Sequence, residues 1–322
     1  MDDLRLNANA LAIADDVETR SEELRIASTT LPGGARIIDL GIDVRGGFAA
    51  GLAMAEICMG GLGHISYETV RVGPDDYMGV EVWTDHPAIS CMASQYAGWA
   101  IQVDKFFAMG SGPLRAHARV EKDLFAKLKY EETASDGVLV LETRAHPTDA
   151  VAAWVAERAH VKPAQLTFVV APTASIAGAV QVVARVMETG LHKLDALGFD
   201  VTRVISASGS APVPPQATSD IKAIGRTNDC ILYGGQARFL IDATDAELEP
   251  LAAKLPASAS PDYGKPFVDT FNAYKGDFYK IDPLLFSPAE VWLTSAKTGR
   301  TFHGGLLNPD VLRTSLLEIT SL

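Results

Sequence analysis

Hydrophobic and polar positions along the chain alternate between helical and strand-like periods, which predicts a mixed α/β protein. The predicted helices are polar or amphipathic stretches bounded by glycine or proline, at 9–31, 46–58, 113–129, 148–159 and 176–190. The predicted strands are short apolar or β-branched runs, at 35–39, 64–72, 79–84, 102–109, around Leu139 and at 165–171. The later landmarks are the proline-rich loop 211–215, the apolar run 230–233 and the loop 256–266. The fold class predicted from this pattern is α/β, mixed α+β.

The chain has 322 residues, which suits one large or two ordinary domains. The break at Arg144-Ala-His-Pro147 suggests a division into an N-terminal α/β domain, 1–145, and a C-terminal α/β domain, 146–322. This expected boundary rests on length and one interruption of the pattern, and the domains need not be continuous.

Charge and cysteine content narrow the class of protein. Lysine and arginine total 28 against 40 acidic residues, a formal charge of −12, which disfavours nucleic acid as a partner because the surface repels phosphate. The negative electrostatic potential of such a surface attracts cationic small molecules, or the charge serves solubility alone. The three cysteines, Cys58, Cys91 and Cys230, have neither disulfide nor zinc-site spacing and fit a reducing cytoplasm. With no expected secretory signal, and only a short interrupted apolar stretch at 166–180, we expect no membrane association.

Several common chemistries lack their motifs in this sequence. Gly110-Ser-Gly112 has no third glycine for a dinucleotide fingerprint, and no nucleotide-binding GxxxxGK[ST] loop occurs. HExxH and GxSxG are also missing, and the seven histidines are scattered. The sequence therefore disfavours nucleotide, metal and common serine-hydrolase chemistry.

The predicted helix after Ser175 carries candidate catalytic residues. Its apolar stripe consists of Ile176, Val180, Val183 and Met187, and Gln181, Arg185 and Glu188 fall on the opposite side. A guanidinium three residues before a carboxylate can orient it and keep it ionised, and such a carboxylate can position water. The plainer alternative is an exposed ion pair of little energetic consequence.

Two loops are candidate ligand contacts. Ser111 and Gly112 precede a predicted helix, where backbone amides could approach a flat ring or an anion, although an ordinary tight turn explains them too. Tyr263 and Lys265 set an aromatic ring and a cation on one loop, which suits a lid over a ligand or a surface turn.

Long motifs in collinear order resemble the methenyltetrahydromethanopterin cyclohydrolase family from about residue 9 onward. They are Ile57-Cys-Met-Gly-Gly-Leu-Gly63, Phe106-Phe-Ala-Met-Gly-Ser-Gly-Pro-Leu-Arg-Ala116, Val169-Val-Ala-Pro-Thr-Ala-Ser175, Arg185-Val-Met-Glu188, Gly225-Arg-Thr-Asn-Asp229, Leu255-Pro-Ala-Ser-Ala-Ser260, Asp262-Tyr-Gly-Lys-Pro-Phe267 and Asp277-Phe-Tyr-Lys-Ile-Asp282.

The resemblance implies an enzyme that reversibly hydrolyses the methenyl bridge of tetrahydromethanopterin, a pterin one-carbon carrier, to the 5-formyl derivative without a cofactor. It implies Glu188 as general base and Arg185 as the residue that orients it. The expected substrate-binding residues are Tyr96, Ser111, Gly112, Gln181, Tyr263 and Lys265. The resemblance further implies two α/β domains with the pocket between them, and a homotrimer.

One position departs from the family pattern. Archaeal members typically read Gln-Lys-Ala-Gly-Trp where this chain has Gln95-Tyr-Ala-Gly-Trp99, so a cation is replaced by Tyr96. This change suits a carrier variant with one anionic group fewer. The composition lacks hyperthermophilic charge enrichment and leans toward a methylotroph that oxidises formaldehyde, with methanogenesis as the other setting.

Two alternatives stay open at this point. One is a carrier-binding sensor or scaffold of the same fold without catalysis, against which the intact Arg185 and Glu188 argue. The other is a folate cyclohydrolase, although nothing in the chain resembles the usual folate enzyme.

Overall fold

The computed structural model describes residues 4–277 and 280–316, so Phe278 and Tyr279 of the last family motif lie outside the described residues. The chain forms two compact units. The first comprises the residues up to Ile65 together with Ala88–Val182, and the second comprises Ser66–Pro87 together with the residues from Val183 onward. The mixed α/β, two-domain fold is confirmed. The division differs from the expected one near residue 145, because residues 146–182 cluster with the first unit and segment 66–87 clusters with the C-terminal part of the chain.

The first unit is built around a six-stranded mixed sheet with strand order β1-β2-β8-β7-β6-β5. Its strands are β1 (Ala27–Thr30), β2 (Arg36–Asp39), β5 (Trp99–Val103), β6 (Phe106–Ser111), β7 (Gly137–Glu142) and β8 (Leu166–Ala171). Its helices are α1 (Leu6–Thr19), α2 (Ser21–Leu24), α3 (Phe48–Cys58), a π-helix (Ala88–Gln95), α4 (Pro113–Ala118), α5 (Lys122–Leu128), α6 (Asp149–Ala159), a 3-10 turn (Pro163–Gln165) and α7 (Ile176–Val183). Strands β2, β8 and β7 are parallel neighbours, and the remaining pairs are antiparallel.

Both faces of this sheet are buried, which explains the continuous apolar runs of β7 and β8. One face packs against α1 and α3, through residues such as Ala14 and Met54. The other face packs against α6, through Val151 and Val155. The first sheet is therefore the middle layer of three, and its parallel strands end at one edge.

The second unit contains another six-stranded mixed sheet, of order β12-β11-β10-β9-β4-β3. Its strands are β3 (His64–Val72), β4 (Asp75–Thr84), β9 (Val204–Pro212), β10 (Gln236–Ile241), β11 (Glu290–Ser295) and β12 (Thr301–Gly305). Its helices are α8 (Val186–Ala196), α9 (Asp220–Gly234), α10 (Asp245–Lys254), α11 (Phe267–Ala273) and α12 (Pro309–Leu316), with 3-10 turns at Val201–Arg203, Ala257–Ala259 and Pro283–Leu285.

This second sheet buries one face and leaves much of the other accessible. Burial alternates along β10 and β11, with Phe239 and Leu293 in the core. On the other face, Trp83 is 45% exposed and Leu240 is 36% exposed. Among the described helices, none has the length and apolar character needed to cross a bilayer.

Two predicted elements in the first unit have the wrong form. The predicted helix 9–31 ends at Leu24, where Arg25 takes the left-handed conformation (φ 55°), and the β-branched run that follows forms β1. The predicted strand 102–109 is the hairpin of β5 and β6, which turns at Asp104 (φ 52°). Isolated non-glycine residues at positive φ leave little trace in a hydrophobic pattern.

Two further helical predictions change in detail, and one landmark, the apolar run 230–233, proves to be helical. The predicted helix 113–129 is two helices, α4 and α5, separated at Arg119 (φ 49°). The predicted helix 176–190 is α7 followed by α8, with a break at 184–185. The apolar run 230–233 belongs to the last turn of α9.

Candidate active site

Arg185 and Glu188 lie at the start of α8, directly after the break. Arg185 is the N-cap residue of α8 and Glu188 lies in its first turn. They are only 6% and 5% exposed. The alternative of an exposed surface ion pair is therefore wrong, because neither side chain faces bulk solvent. A carboxylate in the first turn of a helix is favoured by the partial positive charge of the helix N-terminus.

Gln181 is fully buried on α7, in the first unit, where its side-chain amide meets a carboxylate. Its Nε2 donates to Oε1 of Glu142 at 2.8 Å, and Oγ1 of Thr173 donates to Oε2 of the same residue at 3.3 Å. Glu142 was missed by the sequence analysis. Its signal is its position at the carboxyl end of a buried parallel strand, where α/β proteins build their sites.

The same edge of the first sheet gathers a second polar group. Asp39, at the end of β2, accepts backbone N–H bonds from Gly41, Ile42 and Asp43 at 2.7–2.9 Å. Nε2 of His146 lies 3.4 Å from Oδ2 of Asp39 and 3.2 Å from Oδ2 of Asp43. One ligand atom from each of these three side chains falls within 4.8 Å of the others, a separation that a cation could bridge. Since three amides already stabilise the carboxylate of Asp39, the turn does not require an ion to form.

Ser111 and Gly112 take up positions inside the first unit. The hydroxyl of Ser111 lies 3.2 Å from Sγ of Cys58, and both side chains are fully buried. Gly112 adopts φ 96°, a conformation that favours glycine, and its N–H donates to the carbonyl of Ser94 at 2.8 Å. The amide of Gly112 is thus engaged by the fold, so its predicted role in binding substrate stays a prediction.

Tyr96 is half-buried and packs against the fully buried guanidinium of Arg115. The Cζ atom of Arg115 lies 5.0 Å from the centre of the Tyr96 ring, and Nη1 donates to the Tyr96 carbonyl at 2.9 Å. Arg115 also donates to the carbonyls of Met92, Ala93 and Ser94 and pairs with Glu121 at 2.9 Å. It therefore satisfies the carbonyl groups that the end of the π-helix leaves without helical partners. The sequence analysis quoted Arg115 in a motif without assigning it this role.

Tyr263 and Lys265 lie on one loop of the second unit. The ring of Tyr263 packs on that of Tyr233 with centroids 4.9 Å apart, and burial raises the pKa of its hydroxyl. Lys265 is exposed, and its carbonyl accepts a 2.6 Å bond from the Tyr233 hydroxyl. Gly264 between them adopts φ 107°. The two side chains project from a backbone that is held in place.

Lys193 on α8 is a second buried cation that the sequence analysis missed. Its Nζ donates to the carbonyl of Pro256 at 2.8 Å, at the start of the loop that carries Tyr263. Burial lowers the pKa of Lys193 to about 8, although the charge of Asp282 opposes that shift. This bond ties the helix that carries Glu188 to the loop that carries Tyr263 and Lys265.

The eight predicted site residues thus divide between the units. The first unit holds Tyr96, Ser111, Gly112 and Gln181, and the second holds Arg185, Glu188, Tyr263 and Lys265. Buried polar groups at strand ends and at helix starts define a two-unit α/β protein of enzymatic type.

Comparison with known proteins identifies the family. The sequence matches the family model described as Cyclohydrolase (MCH) over residues 5–316. The chain belongs to this family.

Relatives named methenyltetrahydromethanopterin cyclohydrolase cover almost all of the chain. The protein from Methanococcoides burtonii is 41% identical over 310 residues, 96% of this chain and 97% of the relative. The protein from Methylobacillus flagellatus is 46% identical over 292 residues, 91% of this chain and 89% of the relative. The protein from Methylobacterium organophilum is 43% identical over 319 residues, 96% and 97% of the two chains.

Proposed function

We propose that this protein catalyses the reversible hydrolysis of 5,10-methenyl-tetrahydromethanopterin to 5-formyl-tetrahydromethanopterin in one-carbon metabolism. The observation that carries the proposal is the near full-length match to relatives that bear this activity in their name, at 41–46% identity for the three described above. The sensor or scaffold alternative has no comparable support.

The reaction needs water and proton transfer. The methenyl carbon belongs to an amidinium cation and is already electrophilic, so a positioned water can attack it. The new carbon–oxygen bond forms as one water proton leaves, which gives a neutral carbinolamine. Its carbon–nitrogen bond then breaks, the leaving nitrogen takes up a proton, and loss of the hydroxyl proton leaves the formyl group. One proton is released overall.

Glu188 is the proposed general base, and Arg185 is proposed to orient it. Their near-complete burial supports this assignment, since a carboxylate shielded from bulk solvent interacts more strongly with a cationic substrate than a solvated one. In this mechanism Glu188 takes the proton from water and returns it to the leaving nitrogen. Arg185, the N-cap residue of α8, is three residues before Glu188, the spacing at which a guanidinium can orient a carboxylate on the same turn.

The proposed substrate contacts are Tyr96, Ser111, Gly112, Gln181, Tyr263 and Lys265. Lys265 is the exposed cation among them and suits an anionic part of the carrier. The carboxylate of Glu142 accepts from Nε2 of Gln181 at 2.8 Å and so fixes the orientation of this side-chain amide. No metal or nucleotide cofactor takes part in this proposal.

The test uses the chromophore of the substrate. Adding purified protein to the methenyl carrier, without metal or nucleotide, should abolish the methenyl absorbance. Tight binding without turnover would favour a sensor, and faster turnover of methenyl-tetrahydrofolate would favour a folate enzyme. If chelator-treated protein is inactive and zinc restores turnover, the cofactor-free mechanism is wrong, and Asp39, Asp43 and His146 become the first site to examine.

Three further features of the proposal concern the setting of the enzyme. We propose a homo-oligomer, a trimer by family resemblance, and the exposed Trp83 and Leu240 on the second sheet support an interface between copies. The mass in solution, measured by light scattering, tests it.

We also propose a cytoplasmic enzyme that serves formaldehyde oxidation in a methylotroph or methanogenesis, and fractionation of the source cells tests the location.

A further inference from the structure

Helix α9 contacts the loop of Tyr263 and Lys265 through two buried side chains four residues apart. Asp229 and Tyr233 lie on one face of the helix, since residues at i and i+4 are neighbours on a helix surface. Both belong to the second unit, as does the loop. We call residues 263–267 the clamped segment.

Three hydrogen bonds and one ring contact join α9 to the clamped segment. The Tyr233 hydroxyl donates to the Lys265 carbonyl at 2.6 Å and accepts from the Gly264 N–H at 3.2 Å. Oδ1 of Asp229 accepts from the Phe267 N–H at 2.8 Å. The Tyr233 ring packs on the Tyr263 ring at 4.9 Å. Two side chains of one helix thus bind the backbone at three positions within four residues.

The clamped segment has no regular structure of its own between the 3-10 turn at 257–259 and α11. Gly264 takes a left-handed conformation, φ 107°, and a Cβ atom added there would meet no atom of a non-neighbouring residue within 4 Å. Space therefore does not define the backbone path at Gly264. The hydrogen bonds to Tyr233 hold the backbone at 264 and 265, while the Tyr263 N–H donates to the Ser260 carbonyl at 3.2 Å. Together these bonds set the directions in which the side chains of Tyr263 and Lys265 project.

Asp229 is anchored on its other side. Its Oδ2 accepts a 2.6 Å bond from the hydroxyl of Ser315 on α12, so the carboxylate joins three helices: α9, α11 at its first residue, Phe267, and α12. A carboxylate with partners on both oxygens has little rotational freedom. The end of the clamped segment at Phe267 is thereby held against α9.

We infer that Tyr233 and Asp229 are positioning residues for substrate binding, which hold Tyr263 and Lys265 in the orientation that receives the carrier. The inference rests on the proposed function. Neither residue touches substrate in this account, and both act through the backbone of the clamped segment. Losing them should therefore weaken substrate binding and leave the chemical step intact.

The test is Tyr233→Phe, which removes two hydrogen bonds and keeps the ring contact with Tyr263. Tyr130→Phe is the matched control, because Tyr130 is an equally buried tyrosine of the first unit whose hydroxyl donates to the Leu4 carbonyl at 2.7 Å. For Tyr233→Phe we expect KM for the methenyl carrier to rise about five- to tenfold, with kcat within about twofold. For Tyr130→Phe, KM should not change.

A second pair of variants covers the case in which Tyr233→Phe does not fold. Asp229→Asn keeps an oxygen that can accept from Phe267 N–H and should preserve KM. Asp229→Val removes the acceptor and should raise KM. A normal KM in Asp229→Asn beside a raised KM in Asp229→Val would show that the hydrogen bond matters, and not only the volume of the side chain. Unchanged KM in both Tyr233→Phe and Asp229→Val would overturn the inference.

Hydrogen exchange of peptides that cover the clamped segment gives a readout independent of the reaction. Exchange at Gly264 should become faster in Tyr233→Phe than in wild type, and it should not change in Tyr130→Phe. If the wild-type protein hydrolyses no methenyl carrier, the proposed function fails. In that case, faster exchange in Tyr233→Phe would still support the conclusion that Tyr233 holds the clamped segment. Unchanged exchange would overturn that conclusion.

Discussion

Removing the charge of a buried carboxylate that accepts hydrogen bonds usually destabilises a protein. For Asp229 we predict the opposite effect. Burial raises its pKa from 3.8 to about 7, and the bonds from Ser315 and Phe267 only partly oppose that shift. The charge of Asp269 raises it further. We therefore predict that Asp229→Asn increases the stability of the protein at pH 8.

The sign follows from proton linkage. Between pH 4 and pH 7 the folded protein keeps a proton on Asp229 that the unfolded chain has lost, so the free energy of unfolding falls as pH rises through this window. Above the folded pKa both states are ionised, and the dependence ends. A difference of about three pKa units corresponds to roughly 4 kcal/mol at most, of which roughly 2.3 kcal/mol falls between pH 5 and pH 7, because Asp229 is half-ionised at the upper end of this range.

The assay is urea unfolding of wild type and Asp229→Asn at pH 5, 6, 7 and 8, followed by tryptophan fluorescence. The stability of the variant relative to wild type should increase by a few kcal/mol from pH 5 to pH 7 and then level off. Asparagine keeps an oxygen that accepts from the Phe267 N–H, and its Nδ2 can donate to the Ser315 hydroxyl, so both contacts survive. Asp76→Asn is the control, because Arg71 holds the pKa of Asp76 below its usual value and no titration falls in this range. A relative stability that is flat with pH, or that falls, would refute the reasoning.

Substitutions at two further positions, Arg115 and Tyr96, test the packing and the role of Tyr96. Arg115→Met should lower the free energy of unfolding by about 3–5 kcal/mol, because it leaves Glu121 without its buried partner and the π-helix carbonyls without donors; a loss below about 1 kcal/mol in urea unfolding would contradict that role. Tyr96→Phe should change KM only modestly, whereas Tyr96→Lys should favour a carrier with an additional anionic group in competition assays. A large fall in kcat for Tyr96→Phe would instead indicate that the hydroxyl acts in the chemistry.

Local sequence patterns correctly predicted the elements that have an apolar run or a helix cap within their own residues. The apolar run 165–171 forms β8, and the helix predicted at 148–159 is α6, where Thr148 caps the first turn by accepting from Val151 N–H. The helix predicted at 176–190 shows the limit of periodicity. Both α7 and α8 bury apolar residues at helical spacing, so the pattern continues across a break at which the chain passes from one unit to the other.

The candidate site depends on contacts between distant segments, which a pattern does not encode. Arg115 would ordinarily be assigned to the surface, yet it is buried because carbonyl groups some 20 residues earlier need donors. The bond from Ser315 to Asp229 spans 86 residues, and that from Gln181 to Glu142 spans 39. Family motifs marked the neighbourhoods of Arg115, Asp229 and Gln181, and only the fold supplied their partners.

The most direct test of the central claim is the turnover of Glu188→Gln, a substitution that barely alters volume. An amide cannot accept the proton of the attacking water, so we expect turnover of the methenyl carrier to fall by on the order of 10²–10⁴ while circular dichroism stays that of the folded protein. Arg185→Lys should show a milder loss, since lysine keeps the charge but not the planar fork, and the two losses should be strongly non-additive. Hydrolysis by Glu188→Gln within about twofold of wild type would contradict the proposed mechanism, even with family membership intact.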